Sequence, residues 1–372
     1  MAKENCSSPT GMAIGLDVGD RKIDLCVVDA SGTVVERSVL MNSPEALRSR
    51  FEGAKPVRIA FEAGTHALWM SELLKEHGHE VIVANPRKLA ALTQNIRKSD
   101  PVDAEYLARM ARTDVTLLSP IEPRSLDVQQ DLAVIRSRDQ MVQIRTGLIT
   151  HVRSAVKTMG GRIPKGLYPD SFAKGAGEHV PEILKPALRQ ILEVIQDLTR
   201  KIHEYDRWIK GAAKKHPPAE RLQEVHGVGP LTSLAFVLTV SEPGRFAESR
   251  DVGAYFGLVP KRSQSGAKDP ELSITKAGNG YMRRLLVSSA HQILGPFGQD
   301  SDLRRFGKRL EKKGDKVAKK KAVVAVARKL AVVLHRLWIS GENYAPFWGS
   351  RKAKEAGVES PSSSAAPARS AG

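Results

Sequence analysis

From Met12 the apolar positions alternate through MAIGLDV, again through KIDLCVVD, and again through TVVERSVLM after the turn residues ASG, which predicts a meander of three short strands. Ser43 with Pro44 opens a helix, VRIAFEA reads as a fourth strand, THALWMSELLKEHG as a helix and EVIVANP as a further strand. KSDPVDAEYLARM then begins another amphipathic helix, so the order is βββαβαβα. That order is the one found in ribonuclease H-like mixed-sheet α/β folds, and by itself it leaves function undecided.

Further on the period changes. Val128, Leu132, Ile135, Val142, Ile149, Val152, Val156 and Met159 recur at spacings of three and four, interrupted by Asp139 and Thr146, and predict one long helix. A loop rich in Gly and Pro leads to a second helix with the stricter heptad Leu188, Ile191, Ile195, Leu198, Ile202, Tyr205 and Ile209. The pair reads as a helical hairpin, serving either as a core within one chain or as a coiled coil between chains. After KKHPPAE, the segment LQEVHGVGPLTSLAFVLTV starts a third, mostly helical part, whose His226–Pro230 turn is either a phosphate-facing helix start or an ordinary glycine connection. The expected parts are a disordered tail over 1–11, an α/β domain over 12–115, the hairpin over 124–213, a helical domain over 219–346 and a disordered tail over 349–372.

Charge adds a partner to this picture. Across 372 residues, 58 Lys and Arg outnumber 41 Asp and Glu, giving +17 and a pI near 9.9, which favours a polyanion. Between Lys261 and Ser340 there are 19 basic and 6 acidic residues, so that span holds most of the excess. No apolar run approaches the roughly 18 residues that cross a bilayer, and the N-terminus lacks the apolar core of a signal peptide; the expectation is a cytoplasmic protein without a membrane partner. Two cysteines, Cys6 and Cys26, are read as free thiols.

Against that basic background the acids stand out. Asp17 ends the first strand and Glu62 the fourth, while Asp100 and Asp103 lie three apart at a helix start. Singly each has a plain explanation: Asp100 as an N-cap before Pro101 with Asp103 in the reciprocal position, Asp17 as a turn residue beside Asp20, and Glu62 as a solvated strand end. Together they could hold two divalent cations about 4 Å apart, the arrangement that serves phosphoryl transfer. Oxygen ligands alone favour Mg2+, with Mn2+ as the alternative. The two explanations are compatible, because a capped helix start is also a rigid platform for ligands.

The ordered motifs GLDVGDRK, FEAGTH, NPRKL, RKSDPVDAEYLA, VHGVGPLTS, FGLVPKRSQSG and TKAGNGYMRRLL resemble those of the DEDD-type insertion-sequence transposases over roughly residues 12–345. This resemblance implies a RuvC-like N-terminal domain with Asp17, Glu62, Asp100 and Asp103 as its metal-binding catalytic tetrad, and a C-terminal serine transposase domain. It implies Ser265, the serine directly before a glycine, as the nucleophile, with Ser263 its nearby competitor. It further implies cleavage and rejoining of donor and target DNA through a phosphoserine link in a composite site, by a homo-oligomer (dimer or tetramer) guided by a structured non-coding bridge RNA.

Read as residues, Ser265 shares its loop with Lys261, Arg262 and Lys268, cations able to neutralise a phosphate, though nothing nearby identifies the base that takes its proton. Lys276, Asn279, Arg283 and Arg284 surround a glycine turn before a helix and are expected to contact phosphate, or else to form a solvated basic face. Aromatic residues make up only 5 %, so base stacking is a minor part of recognition. Three other functions fit parts of the chain: a RuvC-like junction nuclease that uses metals alone, an actin-like ATPase suggested by GLDVGD, and a non-enzymatic nucleic-acid scaffold. The ATPase lacks a later glycine-rich adenosine loop.

Overall fold

Two-residue alternation gives the N-terminal sheet two faces, and the two faces carry side chains of different size. The computed structural model describes residues 11–86, 100–262, 272–312, 314 and 316–348; the tail 349–372, and the first tail through residue 10, lie outside them. The chain divides into two compact units, Met1–Gln129 and Gln130–Gly372, so the hairpin and the C-terminal helices expected as separate parts share the second unit.

In the first unit, β1 (Ala13–Val18), β2 (Lys22–Val28), β3 (Val34–Met41), β4 (Arg58–Glu62) and β5 (Glu80–Ala84) form one sheet in the order β3-β2-β1-β4-β5. The meander β1-β2-β3 is antiparallel, and β4 and β5 run parallel to β1. With α1 (Pro44–Phe51), α2 (Ala67–Glu76) and α3 (Asp100–Thr113) the element order among the described residues is the expected βββαβαβα, and the mixed sheet fits the ribonuclease H-like arrangement. Ser43 caps α1 by accepting from the Ala46 amide at 3.3 Å, with Pro44 in the first turn where its missing N–H costs nothing.

One sheet face packs Ile14, Leu16, Ile23, Leu25, Ile59 and Phe61 against α1 and α2. The other presents small residues, Ala13, Cys26, Ala60 and Ala84, to Ala104, Leu107, Ala108 and Ala111 of α3. Small side chains let the helix come close. A Cβ added to Gly15 would lie 1.9 Å from the Ala104 carbonyl oxygen and 2.5 Å from the Ala108 nitrogen, so α3 crosses directly over Gly15. That contact fixes where the helix begins relative to the strand ends.

In the second unit, α4 (Leu126–Thr158) and α6 (Lys185–Lys215) make the hairpin. The connection between them carries α5 (Phe172–Gly177), and Ile163, Phe172 and Val180 close the core over Val152, Val156, Leu188 and Ile195. The polar interruption of the α4 seam is Arg145 rather than Thr146. Thr146 is exposed and bonds the Val142 carbonyl, whereas Arg145 is 7 % exposed, with Nη1 donating to Asp170 Oδ1 at 2.7 Å and to Thr199 Oγ1 at 3.1 Å. Desolvation pushes the Asp170 carboxyl up, but hydrogen bonds from Arg145 and His203 outweigh it and hold the group below the usual range. A buried guanidinium is tolerated because a carboxylate from the connecting loop reaches it.

The remaining helices are α7 (Pro217–Leu222), α8 (Pro230–Val240), α9 (Asp251–Tyr255), α10 (Gly280–Leu294), α11 (Asp302–Glu311) and α12 (Lys316–Ser340). From Thr232 to Val240 every residue of α8 is buried, as its unbroken apolar run requires. In the preceding turn Gly227 has φ +84°, and a Cβ there would meet the Ser289 carbonyl oxygen at 2.9 Å. The glycine therefore serves the close crossing with α10, which favours the connection over the phosphate turn.

Candidate active site

The strand register and the α3 crossing bring the ends of three elements together. Leu16 pairs with Phe61 in the parallel β1-β4 ladder, and Asp17 and Glu62 are the residues that follow. Asp17 shares its strand face with Ala13 and Gly15, and Glu62 with Ala60, so both belong to the face that α3 covers. Along that face Ala13 lies by Leu107 and Ala111, and Gly15 by Ala104 and Ala108, so α3 runs antiparallel to β1. Its first turn, with Asp100 and Asp103, is thus placed at the end where β1 and β4 finish.

Asp17 and Asp103 are half-buried, each with an interaction of its own, and Glu62 is exposed. Among the described residues no three Asp, Glu, His or Cys side chains close into a metal-holding cluster. The fit of a metal therefore rests on the donor set, all carboxylate oxygen, and on the shared end of the fold, and that combination suits Mg2+ or Mn2+. Asp100 is the first helical residue rather than the residue before the helix, and the position before it lies outside the described residues.

A further carboxylate sits beside Asp17. Asp24 is the cross-strand partner of Asp17 in the β1-β2 ladder, and with Cys26 and Val28 it belongs to the α3 face. Both acids line an open depression with Asp20, Arg21 and Lys22. Two like charges directly opposite each other destabilise a sheet unless cations stand nearby. The alternation of KIDLCVVD already gave the face of Asp24; what the sequence lacked was the register that sets it against Asp17. Arg37 braces the start of α3 by donating to the Pro101 carbonyl at 3.2 Å and pairing with Glu105, which also pairs with Arg109.

In the second unit, two motifs far apart in sequence interlock. Gly257 (φ +66°) and Gly278 (φ +72°) cross so closely that a Cβ on Gly278 would lie 2.0 Å from the Tyr255 carbonyl oxygen, and one on Gly257 2.3 Å from that of Ala277. Val259–Lys261 and Ser273–Thr275 then pair as two short antiparallel rungs, with the Lys261 amide donating to the Ser273 carbonyl and the Thr275 amide to that of Val259, both at 2.9 Å. Ser263, Ser265 and Lys268 come between the two rungs in the sequence and lie outside the described residues; Lys261 and Arg262 are exposed.

The TKAGNG residues are held by the protein itself. Asn279 Oδ1 accepts from the amides of Tyr281 and Met282 and caps α10. Arg283 Nη1 donates to the carbonyls of Phe256 and Ala277 at 2.8 Å, fastening the glycine crossing. Arg284 pairs with Asp139 of α4 at 2.6 Å and lies over the Tyr281 ring, whose hydroxyl burial pushes up to about 12. Lys276, exposed and at φ 55°, projects from the turn.

Two family models match. One described as "Transposase", of the DEDD IS110 type, covers residues 14–160, and one described as "Transposase IS116/IS110/IS902 family" covers residues 219–302. The transposase for insertion sequence element IS1111A of Coxiella burnetii is 25 % identical over 344 residues, 89 % of this chain and 90 % of that protein. A probable family 20 transposase of Pseudomonas aeruginosa is 26 % identical over 78 % of this chain and 86 % of its own length. A pilin gene-inverting protein of Moraxella bovis is 21 % identical over 86 % and 93 % respectively.

Proposed function

The chain belongs to the DEDD-type insertion-sequence transposases, enzymes that recombine DNA, and from that premise we propose that it cuts and rejoins DNA by transesterification at Ser265 with the help of a Mg2+-binding tetrad. The observation that carries the reading is the convergence of Asp17, Glu62 and the first turn of α3 at one end of the sheet, set by Gly15. Asp17, Glu62, Asp100 and Asp103 would hold the metal, which supplies positive charge to a reacting phosphodiester. Ser265 Oγ forms an ester bond to phosphorus, the strand's sugar oxygen leaves and takes up a proton, and reversal with a new strand's hydroxyl restores the serine. One phosphoester replaces another, so the exchange needs no external energy source. Lys261, Arg262, Lys268 and Lys276 neutralise phosphate around the loop, while Asn279, Arg283 and Arg284 shape the turn beside it.

A relative named for gene inversion supports rejoining over plain hydrolysis. Guidance by a structured RNA suits a chain with 5 % aromatics and a strongly basic C-terminal part, since pairing then supplies the sequence choice. Among the described residues no helix is long and apolar enough to cross a membrane. Recombination between donor and target duplexes should fall to background when copurifying RNA is digested and return when the same RNA is added back. Full activity without RNA would remove guidance from the account.

The oligomer is supported by a second heptad on α6. Leu188, Ile195, Thr199, Ile202 and Ile209 are buried in the hairpin, but Ile191, Val194, Leu198, Lys201, Tyr205 and Trp208 also keep three-four spacing and stay partly exposed, Val194 at 49 % and Trp208 at 37 %. Such a seam suits the same helix of a second chain as a coiled coil. Val194→Asp with Trp208→Glu should shift the protein to monomer in analytical ultracentrifugation while its helical circular dichroism is kept; an unchanged mass would discard this interface.

A further inference from the structure

A groove of about 780 Å³ runs along α12 beside the two short rungs. Its floor is apolar, with Leu258, Ile274, Val324 and Val332, and its rim carries Lys320, Lys321, Arg328 and Lys329. Among the described residues none that lines it is acidic. The pattern follows from helix geometry: Lys320, Val324, Arg328 and Val332 repeat every fourth residue, so one face of α12 alternates cation and apolar side chain over about 12–18 Å. A solvated basic face has no use for an apolar floor, and a duplex, whose base faces are stacked inside it, would leave that floor poorly covered. An unpaired strand offers both parts, bases and sugars for the floor and phosphates for the rim. Phe306 lies at the wall with Lys329 Nζ 4.2 Å over its ring, which pairs an aromatic face with a cation where a base would enter.

We infer that this groove holds an unpaired DNA strand, bound by its bases on the apolar floor and by its phosphates on Lys320, Lys321, Arg328 and Lys329. The inference rests on the reading of Ser265 as the nucleophile, since Pro260 and Ile274, which flank the Ser265 segment in the sequence, form one wall of the groove. DNA next to the cut would then be opened locally, and the strand about to be exchanged would be kept from re-pairing with its old complement.

The test uses the full chain, freed of nucleic acid in high salt, with a fluorescein-labelled oligodeoxythymidine 12-mer, its duplex with oligodeoxyadenosine, and an oligouridine 12-mer. Binding is measured in the Ser265→Ala protein, so that it is read without chemistry, and adduct formation is measured separately in the parent protein. The single DNA strand should bind tighter than the duplex. Lys320→Gln with Lys321→Gln should make the slope of log K against log salt shallower by about 1.4, two single-strand phosphate contacts at roughly 0.7 each. Val324→Asp should lower affinity for the single strand at least about tenfold, with the melting temperature of each variant checked against the parent. Equal affinity in parent and variants, or a variant effect confined to the RNA oligomer, overturns the groove; loss of the adduct alone with the binding effects intact overturns only the serine.

Discussion

Ser265→Ala is expected to abolish the covalent protein–DNA species and to lower strand cleavage at least about 10³-fold, the scale on which loss of a nucleophile is felt when no other group can replace it. Fold and binding should be untouched. The rungs Val259–Lys261 and Ser273–Thr275 and the Gly257–Gly278 crossing hold the residues on either side of the Ser265 segment through contacts of their own. Ser263→Ala, two residues away, should retain the adduct and so separate the two serines. Cleavage by Ser265→Ala at the parent rate, with ordinary phosphate and hydroxyl ends, would mean that the tetrad directs water to the phosphodiester and that the chain hydrolyses DNA as a junction nuclease.

Asp103→Asn is the second large effect, and it tests the other half of the site. The substitution keeps shape and one oxygen acceptor but removes a unit of charge. If Asp103 only favours the positive end of α3, the cost is about 0.3–1 kcal/mol of stability and recombination persists. If it holds a divalent cation, recombination should fall at least about 10²-fold while the melting temperature barely moves. Asp100→Asn should behave alike, because Asn is itself a good residue at a helix start and capping is little changed. Chelation of Mg2+ should reproduce the defect in the parent protein and Mn2+ should restore it. Recombination within about threefold of the parent in both variants would leave the acids as helix-end residues only.

The sheet was legible in the sequence because alternation reports which face a strand residue occupies, and βββαβαβα followed directly from it. Ser43 and Pro44 likewise announced α1. What alternation does not report is register. The position of Asp24 opposite Asp17 exists only once β1 and β2 are paired, and the need for glycine at Gly15 only once α3 crosses it. Partner choice was equally hidden. Arg145 belongs in the hairpin seam only because Asp170 arrives from the connecting loop, and Asn279, Arg283 and Arg284, read in the sequence as phosphate contacts, each have a protein partner in the fold. Composition shows that charge is present; only the fold shows what it faces.

The most direct test is to stop a reaction between the purified protein, its copurifying RNA and an end-labelled DNA substrate with denaturant, and to digest the trapped species for mass spectrometry. The account predicts a label that migrates with the protein until protease is added, and a nucleotide mass carried on Ser265. Cleaved DNA free of protein, or a nucleotide carried on any other residue, would contradict it.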